Sequence, residues 1–406
     1  MGLIVQKYGG SSVANAARVK AAAARVLNAH NAGNDVIVVV SAQGKTTDGL
    51  IKLAQEVTDN PSGREMDMLL ATGEQISVAL MAMAIEAQAH PAISFTGAQI
   101  GLVTDSVHTK ARIKAIGTKR MRDELAKGKI VIVAGFQGVD AEDNITTLGR
   151  GGSDLTAVAL AAVMKADTCE IYTDVDGVYT ADPNIVKEAR KLDRISYGEM
   201  LELASLGAKV MQARSIEFAK KHDVPLVVRS SFNDNPGTLI CKETRDMEDI
   251  VVSGAAIQKN EAKVTIRGVP DKPGQVAKIF GELAQRNLNV DMIVQNTSDG
   301  GKFTDVTFTV LRTDLKDAVK ASEKLNAEIG GKGVTSDPTI AKVSVVGIGM
   351  RSHAGVASRM FSALADAKIN IQMISTSEIK ISCVIDEKHA EDALRAVHKA
   401  FQLGKA

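Results

Sequence analysis

Aromatic residues and cysteine are scarce in this sequence. Of its 406 residues, 3% are aromatic, and tryptophan is absent. This scarcity argues against the stacked aromatic platforms that hold single-stranded nucleic acid. Cys169, Cys241 and Cys383 are far apart and show no CxxC spacing, so neither a disulfide framework nor a zinc site is indicated. We expect reduced thiols in a cytoplasmic protein.

Net charge and long apolar runs are lacking as well. The formal net charge of +1 provides no field that would attract nucleic acid or an anionic membrane. We expect no membrane span, and Met1 and Gly2 lead directly into an apolar strand rather than a signal peptide. A hydrophobic fraction of 45% with 24% charged residues is typical of a soluble globular chain. The length predicts two or three domains.

The first part of the chain, residues 1–241, alternates short β-branched runs with helix-like segments. Continuous apolar runs are typical of strands buried on both faces of a parallel sheet. We therefore predict an α/β domain, an open and mainly parallel sheet with helices on both faces. The first helix should be capped by a serine at its start and by Gly33 at its end. The predicted strands are 3–8, 35–42, 91–96, 129–136, 169–174 and 224–230, and the clearest helices are 12–30, 64–90 and 153–166.

The last part of the chain repeats itself. PGQVAKIFGELAQRNLNVDMI matches AGVASRMFSALADAKINIQMI, so that Gly274 aligns with Gly355. Each copy predicts a strand, a helix that begins at glycine, two strands and a helix, as in a ferredoxin-like module. The second copy lacks a last strand, and we predict that residues 250–257 supply it. The predicted boundaries are a linker with this strand at 242–262, a first module at 263–338 and a second at 339–406.

Two glycine-rich loops stand where an open α/β sheet binds ligands, at the carboxyl ends of strands. In KYGGSS (7–12) the glycines let backbone N–H groups approach an anion, and Lys7 adds a full charge. Alone, this stretch fits an ordinary strand-to-helix turn equally well. In TLGRGGSD (147–154) Arg150 stands between glycines, and its planar guanidinium suits a substrate carboxylate. Ser153 or Asp154 would cap the helix that follows.

Two further stretches carry acidic residues. Glu74 lies in an otherwise apolar helical stretch, so it is either paired or functional, and alone it favours a structural ion pair. YTDVDGVYTADP (172–183) runs from a strand into an Asp- and Gly-rich loop, but lacks the acidic spacing of a calcium-binding EF-hand. Together, two anion loops, a lysine, an arginine and an isolated glutamate indicate a kinase acting on a small zwitterion.

These motifs, in this order, resemble those of the aspartokinase family of amino-acid kinases. KYGGSS resembles the family's KFGGTS, and SAQGKTTD (41–48) its SAMGxTTD. ATGEQIS, GFQG, TLGRGGSDLTA, YTDVDGVYTADP and GAKVM also match, and the resemblance covers essentially the whole chain. It implies an amino-acid kinase fold followed by two ferredoxin-like (βαββαβ) ACT domains. It also implies phosphorylation of the L-aspartate side chain, which begins lysine, threonine and methionine biosynthesis. We expect a monofunctional enzyme, without the homoserine dehydrogenase domain of some relatives.

The resemblance also implies roles for individual residues. Lys7 would neutralise charge on the transferring γ-phosphoryl group, and Asp154 would orient Lys7. Arg150 would bind the α-carboxylate of aspartate and Glu74 its ammonium group. Ser41 and Thr47 would add hydrogen bonds to the substrate. The residues expected to hold the nucleotide are Lys7, Gly9, Gly10, Thr173, Asp174, Tyr179, Lys209 and Val210.

The implied chemistry needs little from the protein beyond positioning. A side-chain carboxylate is already ionised at neutral pH, so the nucleophile needs no general base. Catalysis would then rest on alignment and charge stabilisation around an in-line transfer. Mg²⁺ is implied as the partner of ATP, and no protein ligand is assigned to it because such ions are often held by phosphates and water.

The ACT-like pair implies feedback by lysine, threonine or both, bound between modules of a homodimer or tetramer. Asp271 suits an effector ammonium, and the helix start at Gly274 suits its carboxylate, although this segment is also a plain strand-to-helix turn. Met247 could start a separate ACT-only subunit, as in some relatives. The expected effector contacts are Asp271, Gly274, Val276 and Gln295 of the first module and Asn370 and Ile371 of the second.

Two other functions remain open. A kinase for glutamate or N-acetylglutamate would share the fold and the glycine loops, but would not be expected to combine GRGGSD with tandem ACT modules. A non-catalytic amino-acid sensor with a degenerate kinase fold would have lost Lys7, Arg150 or Asp154, and all three are present.

Overall fold

The computed structural model describes residues 2–206, 210–244, 247, 250–297 and 302–405. The chain divides into two compact units, each formed by two segments. The first unit contains Met1–Tyr179 and Lys191–Met247, and the second contains Thr180–Arg190 and Glu248–Ala406.

The first unit is built on a parallel sheet, as predicted. Its strands are β1 (Leu3–Tyr8), β2 (Asp35–Val40), β3 (Ala92–Phe95), β4 (Val103–Thr104), β5 (Ile113–Ala115), β6 (Ile130–Ala134), β7 (Gln137–Val139), β8 (Ile145–Thr147), β9 (Thr168–Thr173), β10 (Arg194–Ser196), β11 (Leu226–Ser230) and β12 (Thr238–Cys241). Its helices are α1 (Ala16–Asn31), α2 (Thr46–Val57), α3 (Gly63–Glu86), α4 (Lys119–Leu125), α5 (Gly152–Met164), α6 (Tyr197–Ser205) and α7 (Ala213–His222).

The main sheet has eight strands in the order β10-β12-β11-β9-β1-β2-β6-β3. All six strands predicted from the sequence are present and form its continuous parallel part, from β11 to β3. The central β-branched runs are fully buried, since Val36 to Val40 and Ile130 to Ala134 have no exposed surface. A smaller sheet, β5-β4-β7-β8, was not predicted because its strands are only two or three residues long.

Two helices differ from their sequence-based descriptions. The N-cap of α1 is Asn15, whose side chain accepts a hydrogen bond from Arg18 N–H, rather than a serine. Helix α3 is long and apolar enough to cross a membrane by length and composition, which differs from our expectation of no such run. Half of its apolar window is buried, and it carries the buried carboxylates Asp67 and Glu74, so in this fold it is a core helix.

The second unit contains one six-stranded sheet in the order β14-β15-β13-β16-β18-β17. Its strands are β13 (Gly254–Pro270), β14 (Val290–Thr297), β15 (Phe303–Leu311), β16 (Gly333–Val346), β17 (Met373–Thr376) and β18 (Lys380–Asp386). Its helices are α8 (Gln275–Gln285), α9 (Leu315–Ile329), α10 (Val356–Asp366) and α11 (Ala390–Ala400).

The two central strands of this sheet each serve both sequence repeats. The end of β16 leads the second repeat, and Gly254 and Ile257 of β13 pair antiparallel with its residues Val346 and Val343. The later part of β13 pairs with β15 of the first repeat. The equivalent helices α8 and α10 each begin after a left-handed glycine, as expected from the aligned sequences.

The segment Thr180–Arg190 belongs to the second unit, although its sequence continues the motif YTDVDGVYTADP. Ala181 and Val186 are buried in a core cluster with Leu394 and Val397 of α11. The Thr180 hydroxyl lies 3.0 Å from Nε2 of His398, which is also in α11. The sequence did not predict that this segment packs with the second repeat.

Candidate active site

The candidate site lies at the carboxyl ends of three neighbouring strands. Strand β1 is flanked by β9 on one side and β2 on the other, the point at which the strand order reverses. Ligands of open α/β sheets bind at such points. Lys7 lies at the end of β1, Ser41 follows β2, and Thr173 ends β9.

A buried ion pair lies at the centre of this edge. Lys7 Nζ is 2.6 Å from Asp154 Oδ1, and both side chains are 11% exposed. Neither Ser153 nor Asp154 caps α5, so that prediction was wrong: the N-cap is Gly151, without a side-chain hydrogen bond. The helix begins at Gly152, which places Asp154 inside its first turn, where its carboxylate reaches Lys7.

The glycines of the first loop are required by close backbone approach. A Cβ on Gly10 would lie 2.8 Å from the carbonyl oxygen of Ala42 and 3.0 Å from that of Gly44. The Gly9 N–H, expected to bind phosphate, here donates to the Tyr172 carbonyl at 3.2 Å because β1 and β9 continue side by side. Gly10 begins a short 3-10 helix, so its N–H has no acceptor within that helix.

Glu74 is a buried carboxylate with one oxygen left without a partner. Its Oε1 accepts a hydrogen bond from Ala42 N–H at 3.0 Å, whereas its buried Oε2 has no hydrogen-bond partner in the described structure. Burial raises the pKa of Glu74 to about 7. Within the described chain Glu74 forms no ion pair, so the structural-pair interpretation was wrong. The close approach of α3 at Gly73, where a Cβ would lie 2.8 Å from Ala42 Cβ, explains this placement.

Arg150 is exposed in the loop between β8 and α5. Both neighbours, Gly149 and Gly151, adopt left-handed backbone conformations, with φ of 79° and 69°. Across the residues that the structure describes, Arg150 forms no ion pair, so its guanidinium is available to a ligand. Ser41 is half-buried in the segment after β2, which also supplies the Ala42 N–H, and Thr47 is half-buried in the first turn of α2.

The structure brings together only some of the residues that are expected to bind the nucleotide. Thr173 and Asp174 lie at the end of β9, and the Thr173 hydroxyl donates to Asp174 Oδ1 at 3.1 Å. Tyr179 forms an antiparallel bridge with Lys191. Val210 lies in a turn before α7, and Lys209 lies outside the described residues.

Sequence reasoning missed three residues that fix this edge. Ser12 and Ser231 join their hydroxyls at 2.9 Å, and Ser231 also donates to the Thr173 carbonyl, so they tie the first loop to β9. Asp67 is fully buried in α3 and anchors the chain before Arg150. Its spacing of two helical turns from Glu74, on the same apolar face, is a signal that would have revealed it.

Some of the expected effector residues lie at the edge strands of the second unit's sheet, and the others follow its central strand β13. Gln295 is on edge strand β14, whereas Asn370 and Ile371 directly precede the other edge strand, β17. Met292 and Val294 of β14 share one core cluster with Met373 of β17. Asp271 and the helix start at Gly274 are exposed, and Val276 is half-buried.

No cluster of three or more His, Cys, Asp or Glu residues suited to a metal ion occurs among residues 2–206, 210–244, 247, 250–297 and 302–405. Cys169, Cys241 and Cys383 are free thiols. Burial raises the pKa of the Cys383 thiol to about 12.

The family assignment rests on the whole chain. The model of the amino acid kinase family matches residues 2–230, and two ACT domain models match residues 264–330 and 343–401. Together with the sheet and its anion loops, these matches show that the chain belongs to the amino acid kinase family.

Two relatives, one of them solved in two complexes, narrow the assignment to one group within the family. The chain is 55% identical over 405 residues to the aspartokinase of Pseudomonas aeruginosa, a match that covers 99% of this chain and 98% of that one. E. coli aspartokinase III in complex with aspartate and ADP has a TM-score of 0.82 at 25% identity, covering 98% and 99% of the two chains. The same enzyme with lysine and aspartate has a TM-score of 0.75 at 25% identity, with the same coverage. Within the family, the chain belongs to the aspartokinases, kinases whose phosphoryl acceptor is a carboxyl group, and this prediction is confirmed.

Proposed function

We propose that this protein transfers the γ-phosphoryl group of ATP to the side-chain carboxylate of L-aspartate, forming 4-phospho-L-aspartate and ADP. The observation that carries the proposal is Glu74, a buried carboxylate whose Oε2 has no partner. An unpaired buried carboxylate is costly, and an incoming ammonium group would compensate it. The exposed guanidinium of Arg150 would bind the α-carboxylate of the same substrate.

In this mechanism the protein supplies charge and alignment. Lys7, held by Asp154 at 2.6 Å, would neutralise charge that develops on the transferring phosphoryl group. The first turn of α5, which carries Asp154, adds the positive end of a helix dipole to the same edge. Ser41 and Thr47 would orient the acceptor carboxylate, which is already ionised and needs no base.

The nucleotide would lie across the ends of β1 and β9. Gly10 would offer its N–H to phosphate oxygens, and Gly9 would do so only after releasing the Tyr172 carbonyl. Mg²⁺ would arrive with the ATP phosphates and shield their charge, with no protein ligand assigned. The remaining proposed nucleotide contacts are Thr173, Asp174, Tyr179, Lys209 and Val210.

Trapping the acyl phosphate as a hydroxamate tests this proposal. The full chain with ATP and Mg²⁺ is expected to give a hydroxamate with aspartate, and none with glutamate or N-acetylglutamate. Turnover with either of the latter alone would instead support the rival amino-acid kinase. Lys7→Ala should abolish turnover and retain effector binding, so an active Lys7→Ala protein would refute the role of Lys7.

The second unit is proposed to sense lysine, threonine or both. Asp271, Gly274, Val276 and Gln295 would bind one side of the effector, and Asn370 and Ile371 the other. Since Gln295 lies on one edge strand and Asn370 and Ile371 precede the other, we propose that a second copy of the chain completes each site, in a homodimer or tetramer. A relative, E. coli aspartokinase III, has been solved with lysine.

Turnover measured with lysine and threonine, singly and together, tests this regulation. Inhibition by one or both is expected, and turnover that neither affects would contradict it.

We also propose that the kinase domain spans 1–241, that the linker with its strand spans 242–262, and that the ACT domains span 263–338 and 339–406. The predicted cytoplasmic location and the separate subunit from Met247 remain proposals too.

A further inference from the structure

We propose that Asp67 is a positioning residue that holds the Arg150 loop in register with Glu74. The inference rests on the proposed function, in which Arg150 and Glu74 bind the two charged groups of an amino acid. It assigns to Asp67 control of substrate affinity without contact to the substrate.

Asp67 has no exposed surface, and donors from two separate chain segments surround its carboxylate. The Thr147 hydroxyl donates to Oδ1 at 2.5 Å, and the Thr109 N–H lies 3.1 and 3.0 Å from the two oxygens. His108 Nδ1 lies 2.8 Å from Oδ2. A carboxylate that accepts from so many donors is fixed in position, and it fixes the donors in turn.

Both segments held by Asp67 contact the Arg150 loop. Thr147 ends β8, and the chain continues through Leu148 and Gly149 to Arg150. The Thr109 carbonyl faces Gly149 so closely that a Cβ there would lie 3.0 Å from it. Thr147 therefore fixes where the loop begins, and Thr109 fixes the glycine from which Arg150 projects.

The other end of this arrangement is Glu74, on the same helix as Asp67. The two carboxylates lie on the buried face of α3, separated by two helical turns, or about 10 Å of a rigid element. The ammonium and α-carboxylate of an amino acid are attached to one carbon atom. Glu74 and Arg150 must therefore converge on a single point, and a displacement of about 1 Å in one of them can cost up to about 100-fold. Asp67 links the two through one helix.

A purely structural anchor would behave differently from a positioning residue. Loss of an anchor lowers stability and affects both substrates alike. Loss of the register between Glu74 and Arg150 raises the KM for aspartate far more than the KM for ATP, because the hydrogen-bond partners of Asp67 lie at 108–109 and at Thr147, and none lies on β1, β9 or α5.

The test compares four variants of the full chain by steady-state kinetics and thermal unfolding. Asp67→Asn keeps the shape of the side chain but places an NH2 group, a hydrogen-bond donor, against groups that are themselves donors. Thr147→Val removes one of these donors, the hydroxyl. Thr147→Ser restores that hydroxyl. Asp140→Asn is the matched control, since Asp140 is a buried carboxylate that holds the other end of the β7–β8 hairpin by accepting from Glu142 and Asn144 N–H groups.

We expect Asp67→Asn and Thr147→Val to raise the KM for aspartate about tenfold or more, with the KM for ATP within about twofold. Thr147→Ser should recover most of the affinity, and Asp140→Asn should lower the Tm alone. Equal increases in both KM values, or a lower Tm with unchanged kinetics, would overturn the inference. If Asp67→Asn does not fold, Thr147→Val decides. Failure of the proposed function would appear instead as absent aspartate turnover in the parent chain.

Discussion

At the scale of single residues, Glu74 combines two opposed requirements. Its burial makes the ionised form costly and raises its pKa to about 7, whereas the proposed binding of a substrate ammonium group requires that form. The sequence showed only a carboxylate in an apolar helix, and an ion pair was the simplest interpretation. In the structure, one oxygen of Glu74 accepts a hydrogen bond from a backbone N–H and the other has no partner, which favours a ligand-binding role over an internal ion pair.

The first prediction concerns the pH dependence of aspartate binding. Below about pH 7 Glu74 becomes protonated and loses its attraction for an ammonium group, so the KM for aspartate should rise by up to about tenfold per pH unit. Above this pH the KM should level off. Initial rates at several aspartate concentrations, measured from mildly acidic to mildly alkaline pH, provide the profile. Glu74→Gln should flatten it at a high KM, and an equally steep profile in that variant would contradict the assignment.

The second prediction concerns stability without substrate. The pKa of Glu74 is about 7 in the folded chain, against 4.5 for an unperturbed glutamate, so ionisation favours the unfolded chain. This penalty is absent below pH 4.5, grows as the pH rises, and is complete above about 7, where it is at most roughly 3 kcal/mol. Glu74→Gln should therefore be more stable than the parent in denaturant unfolding at alkaline pH, and the difference should close on acidification. A difference that does not change with pH would show that ionisation is not its cause.

At the scale of secondary-structure elements, the strands of the main sheet could be predicted because their continuous apolar runs are typical of buried strands. Runs such as Val36 to Val40 are typical of strands buried on both faces of a parallel sheet, so β2 and its neighbours were predictable. Helix starts were less predictable, because several residue types near a helix start can serve as its N-cap. Asn15 caps α1 instead of the expected serine, and Gly151, three residues before Asp154, is the N-cap of α5. Asp67 was missed because its partners are distant in sequence, at Thr109 and Thr147.

The third prediction concerns the contact between α3 and the segment after β2. Gly73→Ala would place a Cβ 2.8 Å from Ala42 Cβ, so the helix or the segment must move. This should cost about 1–3 kcal/mol of stability. It should also raise the KM for aspartate, since Ala42 N–H holds Glu74.

The matched control is Gly281→Ala in α8, where an added Cβ would meet no atom within 4 Å. There the loss of backbone freedom in the unfolded chain should dominate and stabilise the protein by about 0.5–1 kcal/mol. Thermal unfolding and aspartate kinetics of both variants provide the comparison. If both glycines respond alike, close packing at Gly73 does not position Glu74.

At the scale of the whole molecule, the division into units does not follow the sequence motifs. Tyr179 belongs to the first unit and forms a bridge with Lys191, while the intervening Thr180–Arg190 belongs to the second. A proposed nucleotide contact is thus one peptide bond from a segment that packs on α11. Hydrophobic alternation and periodicity describe residues that are close in sequence, so they could not predict that Thr180–Arg190 packs in the second unit.

The last prediction concerns the hydrogen bond that joins Thr180 to His398 of α11. The Thr180 hydroxyl accepts from Arg190 N–H at 3.0 Å and also forms a hydrogen bond with His398 Nε2, at 3.0 Å. Burial lowers the pKa of His398, which favours the neutral ring that can accept this bond. His398→Phe keeps an aromatic ring but removes this partner of the Thr180 hydroxyl, at a cost of about 1–3 kcal/mol.

If the proposed effector regulation depends on this contact, then His398→Phe, Thr180→Val and the double variant should all bind effector normally and all be inhibited less than the parent. The double variant should be no worse than either single one, since the two residues act through one bond. Effector binding by calorimetry and residual turnover at saturating effector separate binding from transmission. Full inhibition in all three variants, with only the Tm lowered, would show that Thr180–Arg190 stabilises the second unit and has no part in the proposed inhibition.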